Sequence, residues 1–186
     1  RYTKELDCGL RQQILGHTLA GSPLFLKVLL EELRQCGRHD TLKEQLDLYL
    51  SSQTIDNLYE RVLERLENDG SGEAVKKVMT AIWASRAGLS ETELLAITEL
   101  APLQWAPIDL ALEKAFGRNG NRLVFDHDFL RTAVQDSYLP SEEQQRQAHS
   151  VLADWFRAQA KWDERKAEEW PWQLQQAERK YELRDL

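Results

Sequence analysis

One stretch restricts this chain more than any other. Between Gly117 and Arg146 the sequence runs GRNGNRLVFDHDFLRTAVQDSYLPSEEQQR. Asn119-Gly120 separates two short runs that can pair as strands, and Asn-Gly is a strong short-range signal for a tight hairpin turn. Asp126, His127 and Asp128 follow the second run at once, and a helical pattern continues to Tyr138, before Pro140. Nearly everything else reads as helix. The fold must therefore hold one small hairpin in a helical body, with a polar His-Asp pair at a helix start. Exposed backbone N–H groups at such a start favour anions, so a phosphate is one thing this pair could face.

Apolar spacing places the helices. A weak one covers Leu10 to Leu15. Ser22 caps the next and Pro23 opens it, where a missing N–H costs nothing. Leu24, Phe25, Leu26, Val28, Leu29, Leu30 and Leu33 cover most of its sides, which predicts burial between neighbours. Leu42–Leu50 follows, then an amphipathic helix capped by Thr54 and interrupted at Gly70-Ser71-Gly72. Val75, Val78, Met79, Ile82 and Trp83 form one stripe before Gly88, and Ser90 with Glu93 makes a capping box. A third helix is expected from near Gln104 to Phe116, with Pro107 in its first turn. Three helices followed by a two-stranded wing is the winged-helix order. Ser141 with Gln144 starts a further helix, and Pro171 is expected to start the last. The expected fold is mainly α: a helical lid at 1–52, a winged-helix domain with one β-hairpin at 53–140, and the start of an α-helical array at 141–186.

With 186 residues, 42% hydrophobic and 30% charged, the chain can build real cores. A net charge of −7 argues against nucleic acid, which selects a basic footprint. No apolar run reaches the roughly 20 residues that span a bilayer. The chain opens at Arg1 without an initiator Met and reads as a piece of something longer, in the cytoplasm. Cys8 and Cys36 read as reduced thiols. His17, His39, His127 and His149 lack partners at zinc-ligand spacing, so no metal is expected.

Enzyme signatures are missing: the chain holds no GxxxxGK[ST] loop, no G-x-S-x-G and no H-E-x-x-H. It is expected to catalyse nothing by itself. The pairs Glu31-Glu32 and Glu168-Glu169 read as solvated surface charge. DNA reading would need Arg, Lys, Asn or Gln along the third helix, which instead offers Asp109, Glu113 and Lys114 on a largely apolar surface. His127 has three readings: a half-buried packing residue, a pH-sensitive latch, or a donor to an anionic ligand at the helix start. Asp126 or Asp128 is expected to cap that helix. Gly21-Ser22-Pro23 is either a plain helix start or a small-residue corner that can lie flat on a planar ligand.

Several segments resemble the regulatory part of STAND-class P-loop ATPases of the NACHT type. They are Leu19–Leu33 (LAGSPLFLKVLLEEL), Leu58–Leu63, Ile82–Glu91, Phe125–Arg131 (FDHDFLR) and Trp170–Leu174, in the family's order over nearly the whole chain. The resemblance implies a nucleotide-gated switch. Gly21 and Pro23 would lie near the adenine, and His127, with Asp128 beside it, would reach the β-phosphate of ADP. Asp126 stands where the family's motif has methionine. The cofactor would be ATP or ADP in the full-length parent, with none expected on the isolated piece. The resemblance also implies an upstream nucleotide-binding domain as partner in cis, self-association of the full protein, and downstream repeats that bind a ligand or protein. The alternatives are a DNA-binding winged helix and a plain protein-interaction module.

Overall fold

The computed structural model describes residues 6–35 and 42–184. Cys36 and His39, read above as a reduced thiol and a histidine without zinc-ligand partners, lie outside the described residues. The described residues form a mainly helical protein with eleven α-helices and one small antiparallel sheet, as the sequence predicts. The chain divides into two compact units, Arg1–Glu64 and Arg65–Leu186.

The first unit contains α1 (Cys8–Leu15), α2 (Pro23–Gln35), α3 (Leu42–Leu50) and most of α4 (Ile55–Leu66). Asp7 caps α1 by accepting the Leu10 N–H at 2.8 Å. Ser22 Oγ accepts the Phe25 N–H at 3.3 Å, and Pro23 is the first helical residue of α2. The expected burial of α2 on most sides is corrected. It buries the stripe Phe25, Leu29 and Leu33, together with Glu32, while Leu30 is 46% exposed. α2 packs on α3, and one neighbour covers one face of a helix rather than all of them. Tyr49 on α3 donates its hydroxyl to Glu32 at 2.9 Å, which keeps that carboxylate satisfied in the interior.

In the second unit the Gly70-Ser71-Gly72 stretch does not break the chain path. Residues Glu67–Ser71 form a π-helical segment that leads directly into α5 (Gly72–Ala84). α5 buries Val75, Val78, Met79, Ala81, Ile82, Trp83 and Ala84. It is the hub of the unit, touching α6 (Glu91–Thr98), α7 (Pro102–Leu112), α8 (Asp128–Tyr138) and α9 (Glu142–Ala158). The capping box at Ser90 and Glu93 forms as expected, as does that at Ser141 and Gln144. α7 starts earlier than expected: Pro102 takes its first turn and Pro107 lies inside it.

The hairpin pairs β2 (Phe116–Asn119) with β3 (Arg122–Phe125), joined through Gly120 and Asn121. Gly120 holds φ 64° at the first turn position, which glycine adopts without a steric cost. Sequence reasoning missed a third strand, β1 (Leu89–Ser90), which pairs antiparallel with β3 to give the order β1-β3-β2. Two residues are too few for an alternating pattern to register. Gly88 prepares that pairing. Its φ is 83°, and a Cβ there would meet the Leu123 carbonyl oxygen at 2.4 Å.

Pro171 does not begin a helix either. It sits inside α10 (Glu164–Gln176), which Asp163 caps by accepting the Lys166 N–H. α9 and α10 pack together, and the short α11 (Lys180–Arg184) follows. Gly88→Ala combines a disfavoured φ with a backbone clash, so it should destabilise the second unit by about 2 kcal/mol or more. Gly120→Ala meets no atom within 4 Å and should cost only about 1 kcal/mol. Urea unfolding of the two variants checks the ranking.

Candidate functional site

β3 delivers Phe125 and the chain turns at Asp126 and His127 into α8. The Asp126 N–H donates to the Ala115 carbonyl at 3.0 Å, which fixes the exit of the hairpin. Phe116 stacks on Phe125 at 6.3 Å and also touches the Trp105 ring, joining α7 to the sheet. His127 is the N-cap residue of α8, with extended φ −142° and ψ 145°, and its side chain makes no capping bond. The expectation that Asp126 or Asp128 caps α8 is therefore corrected: Asp128 is already the first helical residue. There its charge favours the helix start without accepting an end N–H.

The His127 imidazole is half-exposed, with Nε2 at 3.3 Å from Asp126 Oδ2. That carboxylate can orient the ring. Half-exposed and unused for capping, the imidazole is open to a further contact. One turn on, Arg131 lies 5.0 Å from the Trp83 ring centroid, and its guanidinium is partly desolvated there. Gly21 and Pro23 belong to the first unit. Both are exposed, and a Cβ at Gly21 would meet nothing within 4 Å. Beside them His17 stacks on Phe25 at 5.0 Å, so this corner is held by a ring pair. Among the described residues no group of three or more His, Cys, Asp or Glu could hold a metal ion.

The strongest polar cluster was not foreseen. Glu169 on α10 is fully buried, contrary to its reading as surface charge. One of its oxygens accepts the Ala87 N–H at 3.0 Å and Arg165 Nη1 at 2.8 Å. The other accepts the Arg86 N–H at 3.2 Å and Gln173 Nε2 at 3.0 Å. Arg165 also donates to Glu93 Oε1 at 2.7 Å and to the Gly88 carbonyl at 2.7 Å. Burial pushes the Glu93 carboxyl up, but bonds from Arg165 and Ser90 outweigh it and hold the group below the usual carboxylate range. Gln173 bridges onward, donating to the Ala84 carbonyl at 2.8 Å and placing Oε1 at 2.9 Å from His149 Nδ1. Glu32 corrects the same surface reading, through its bond from Tyr49. The only legible hint was the i, i+4 spacing of Arg165 and Glu169 on one helix face.

No family model matches the chain, and no solved structure matches it. It is 27% identical over 184 residues to a TPR repeat-containing protein of Dictyostelium discoideum, an alignment that takes in 96% of this chain. The chain spans only 11% of that protein's length. No helix among the described residues is long and apolar enough to cross a membrane.

Two outcomes are expected of the buried cluster. Glu169→Ala leaves Arg165 and two backbone N–H groups without their carboxylate and should cost about 3–5 kcal/mol in urea unfolding. Burial holds the pKa of His149 below 6.5, so the folded state takes up its proton less readily than the unfolded chain. Its contribution to stability is thus complete above about pH 6.5 and declines as pH falls below it. His149→Gln should flatten the stability profile between about pH 5 and 6.5 relative to the parent chain; identical profiles would contradict this reading.

Proposed function

We propose that this chain is a non-catalytic protein-interaction module working within a larger protein. The observation that carries this reading is the likeness, across 96% of the chain, to a protein built with TPR repeats. TPR units are paired helices that stack into arrays and contact proteins over extended surfaces. The pairing of α9 with α10 is compatible with the start of such an array. The outer face of α7 is the contact surface that stands out. Leu103 is 88% exposed and Leu110 76%, with Ala106 and Pro107 exposed between them. DNA reading would need hydrogen-bond donors along that third helix of the winged-helix order, and its apolar face offers few.

A finer reading rests on the resemblance to NACHT-type ATPases, and the half-exposed His127 imidazole, which makes no capping bond at the start of α8, favours it. In the parent protein His127 bonds the β-phosphate of ADP in a closed state, and exchange for ATP releases the winged helix. A charge-assisted bond made only in the closed state contributes about 1.5–3 kcal/mol, a bias of roughly ten- to a hundredfold.

The two readings separate experimentally. Leu103→Asp with Leu110→Asp should leave the thermal midpoint of the chain nearly unchanged yet abolish its association with the co-expressed remainder of the parent. Retained association would overturn α7 as the contact face. In the full-length parent, His127→Ala should speed ADP release and shift the protein toward its oligomer. Unaltered nucleotide retention and oligomeric state would refute the latch while leaving the interaction module standing.

A further inference from the structure

Two apolar surfaces of the second unit stand open. One is a cavity of about 510 Å³ at the end of α8 remote from His127, between α5, the end of α6 and α9. Glu73 and Glu99 lie in its lining beside Lys76 and Lys77, so its charges select no ligand of either sign. The other is the outer face of α7, where the charge lies along one edge. Only Gln104 and Asp109 of the eleven residues of α7 are polar. Trp105, Ile108 and Leu112 are buried on its inner face. Leu103, Ala106, Pro107 and Leu110 follow the i, i+3, i+4, i+7 spacing of a single stripe on the opposite side, and all four are exposed. A helix apolar on both faces is ordinarily covered on both. The stripe has the pattern by which one helix docks against another.

The charges beside the stripe narrow the class of partner. Asp109 and Glu113 stand four residues apart along one edge of it, and Glu113, the C-cap, keeps a helical conformation. Neither carboxylate has an ion pair or a hydrogen bond among the described residues. Both are disfavoured where they stand. Like charges at this spacing repel, and the C-terminal end of a helix disfavours negative charge. The last turn of α7 carries no basic residue, and Lys114, one residue beyond the cap, pairs with neither carboxylate. A cationic partner relieves both effects at once. A second copy of α7 does not. Antiparallel, it sets acidic edge against acidic edge; parallel, it sets that edge against Gln104 and Ala111, which carry no charge. An anionic lipid surface would be repelled. On the reading of α7 as the contact face, we infer that its partner is an amphipathic helix. That helix lays an apolar stripe on Leu103 and Leu110 and sets Lys or Arg along the edge that meets Asp109 and Glu113.

The test titrates the 186-residue chain with three synthetic helical peptides, alike in a leucine stripe at i, i+3, i+4 and i+7 and carrying lysine, glutamine or glutamate elsewhere. Calorimetry gives affinity, and amide NMR shifts give location. The lysine peptide should bind saturably and shift the signals of Leu103, Ala106 and Leu110. It should bind about fivefold more tightly than the glutamine peptide, with the glutamate peptide weakest. Asp109→Asn with Glu113→Gln should bring the lysine and glutamine peptides to within about twofold of each other. Asp109→Lys with Glu113→Lys should invert the order of the three. With a net charge of −7 the chain stays negative after both reversals, so an order set by overall charge would not invert. Leu103→Ser with Leu110→Ser, at exposed positions, should remove saturable binding of every peptide. An order unchanged by the reversal would overturn the inference, as would shifts mapping away from α7 or no saturable binding by any peptide. Equal binding of the three at α7 would overturn the basic partner alone, and whether α7 is the contact face is decided separately by the co-expression assay above.

Discussion

The buried carboxylate of Glu169 holds the second unit together. It is the acceptor for two backbone N–H groups at Arg86 and Ala87, for Arg165 and for Gln173. Those N–H groups lie where α5 has ended and β1 has not begun, so no helix or sheet ladder satisfies them. An unpaired N–H in the interior is costly, and α10 supplies the missing acceptor. Arg165 then reaches Glu93 and the Gly88 carbonyl, tying the same helix to the start of α6. The arrangement locks three elements into one register. Its energy lies in being complete, because losing Arg165 leaves the buried Glu169 carboxylate without its counter-charge.

From that lock the candidate site inherits its position. β3 is held on one side by β1, whose approach depends on Gly88, and on the other by β2 through the turn at Gly120. The strand ends at Phe125, and the next two residues carry Asp126 and His127 into α8. His127 is therefore presented just beyond the end of the central strand, and the Asp126 carboxylate lies 3.3 Å from its ring. The cavity at the far end of α8 depends on the same hub, because α5 supplies one of its walls.

Legibility in the sequence followed the range of the interactions involved. Helix starts with local caps were readable: Ser22, Ser90 and Ser141 each bond an N–H three residues on. The two prolines were misread because proline marks a helix start only as a tendency. Pro107 and Pro171 lie inside helices whose starts are set by Pro102 and by Asp163. The strand Leu89–Ser90 was invisible, since its only evidence is a partner more than thirty residues away. At the candidate site His127 was legible as a polar residue at a helix start, whereas its position as the cap residue itself was not.

By itself the sequence determined the helical class, the hairpin and the extents of most helices, because periodicity, caps and tight turns act within a few residues. Tertiary structure decided which charges are inside. Glu168 and Glu169 are neighbours of the same type on one helix, yet only Glu169 meets a corner with unpaired N–H groups. It also decided that α5, α8 and α9 leave a cavity between them. Both outcomes come from distant segments meeting, and desolvation depends on everything that surrounds a group rather than on its neighbours along the chain.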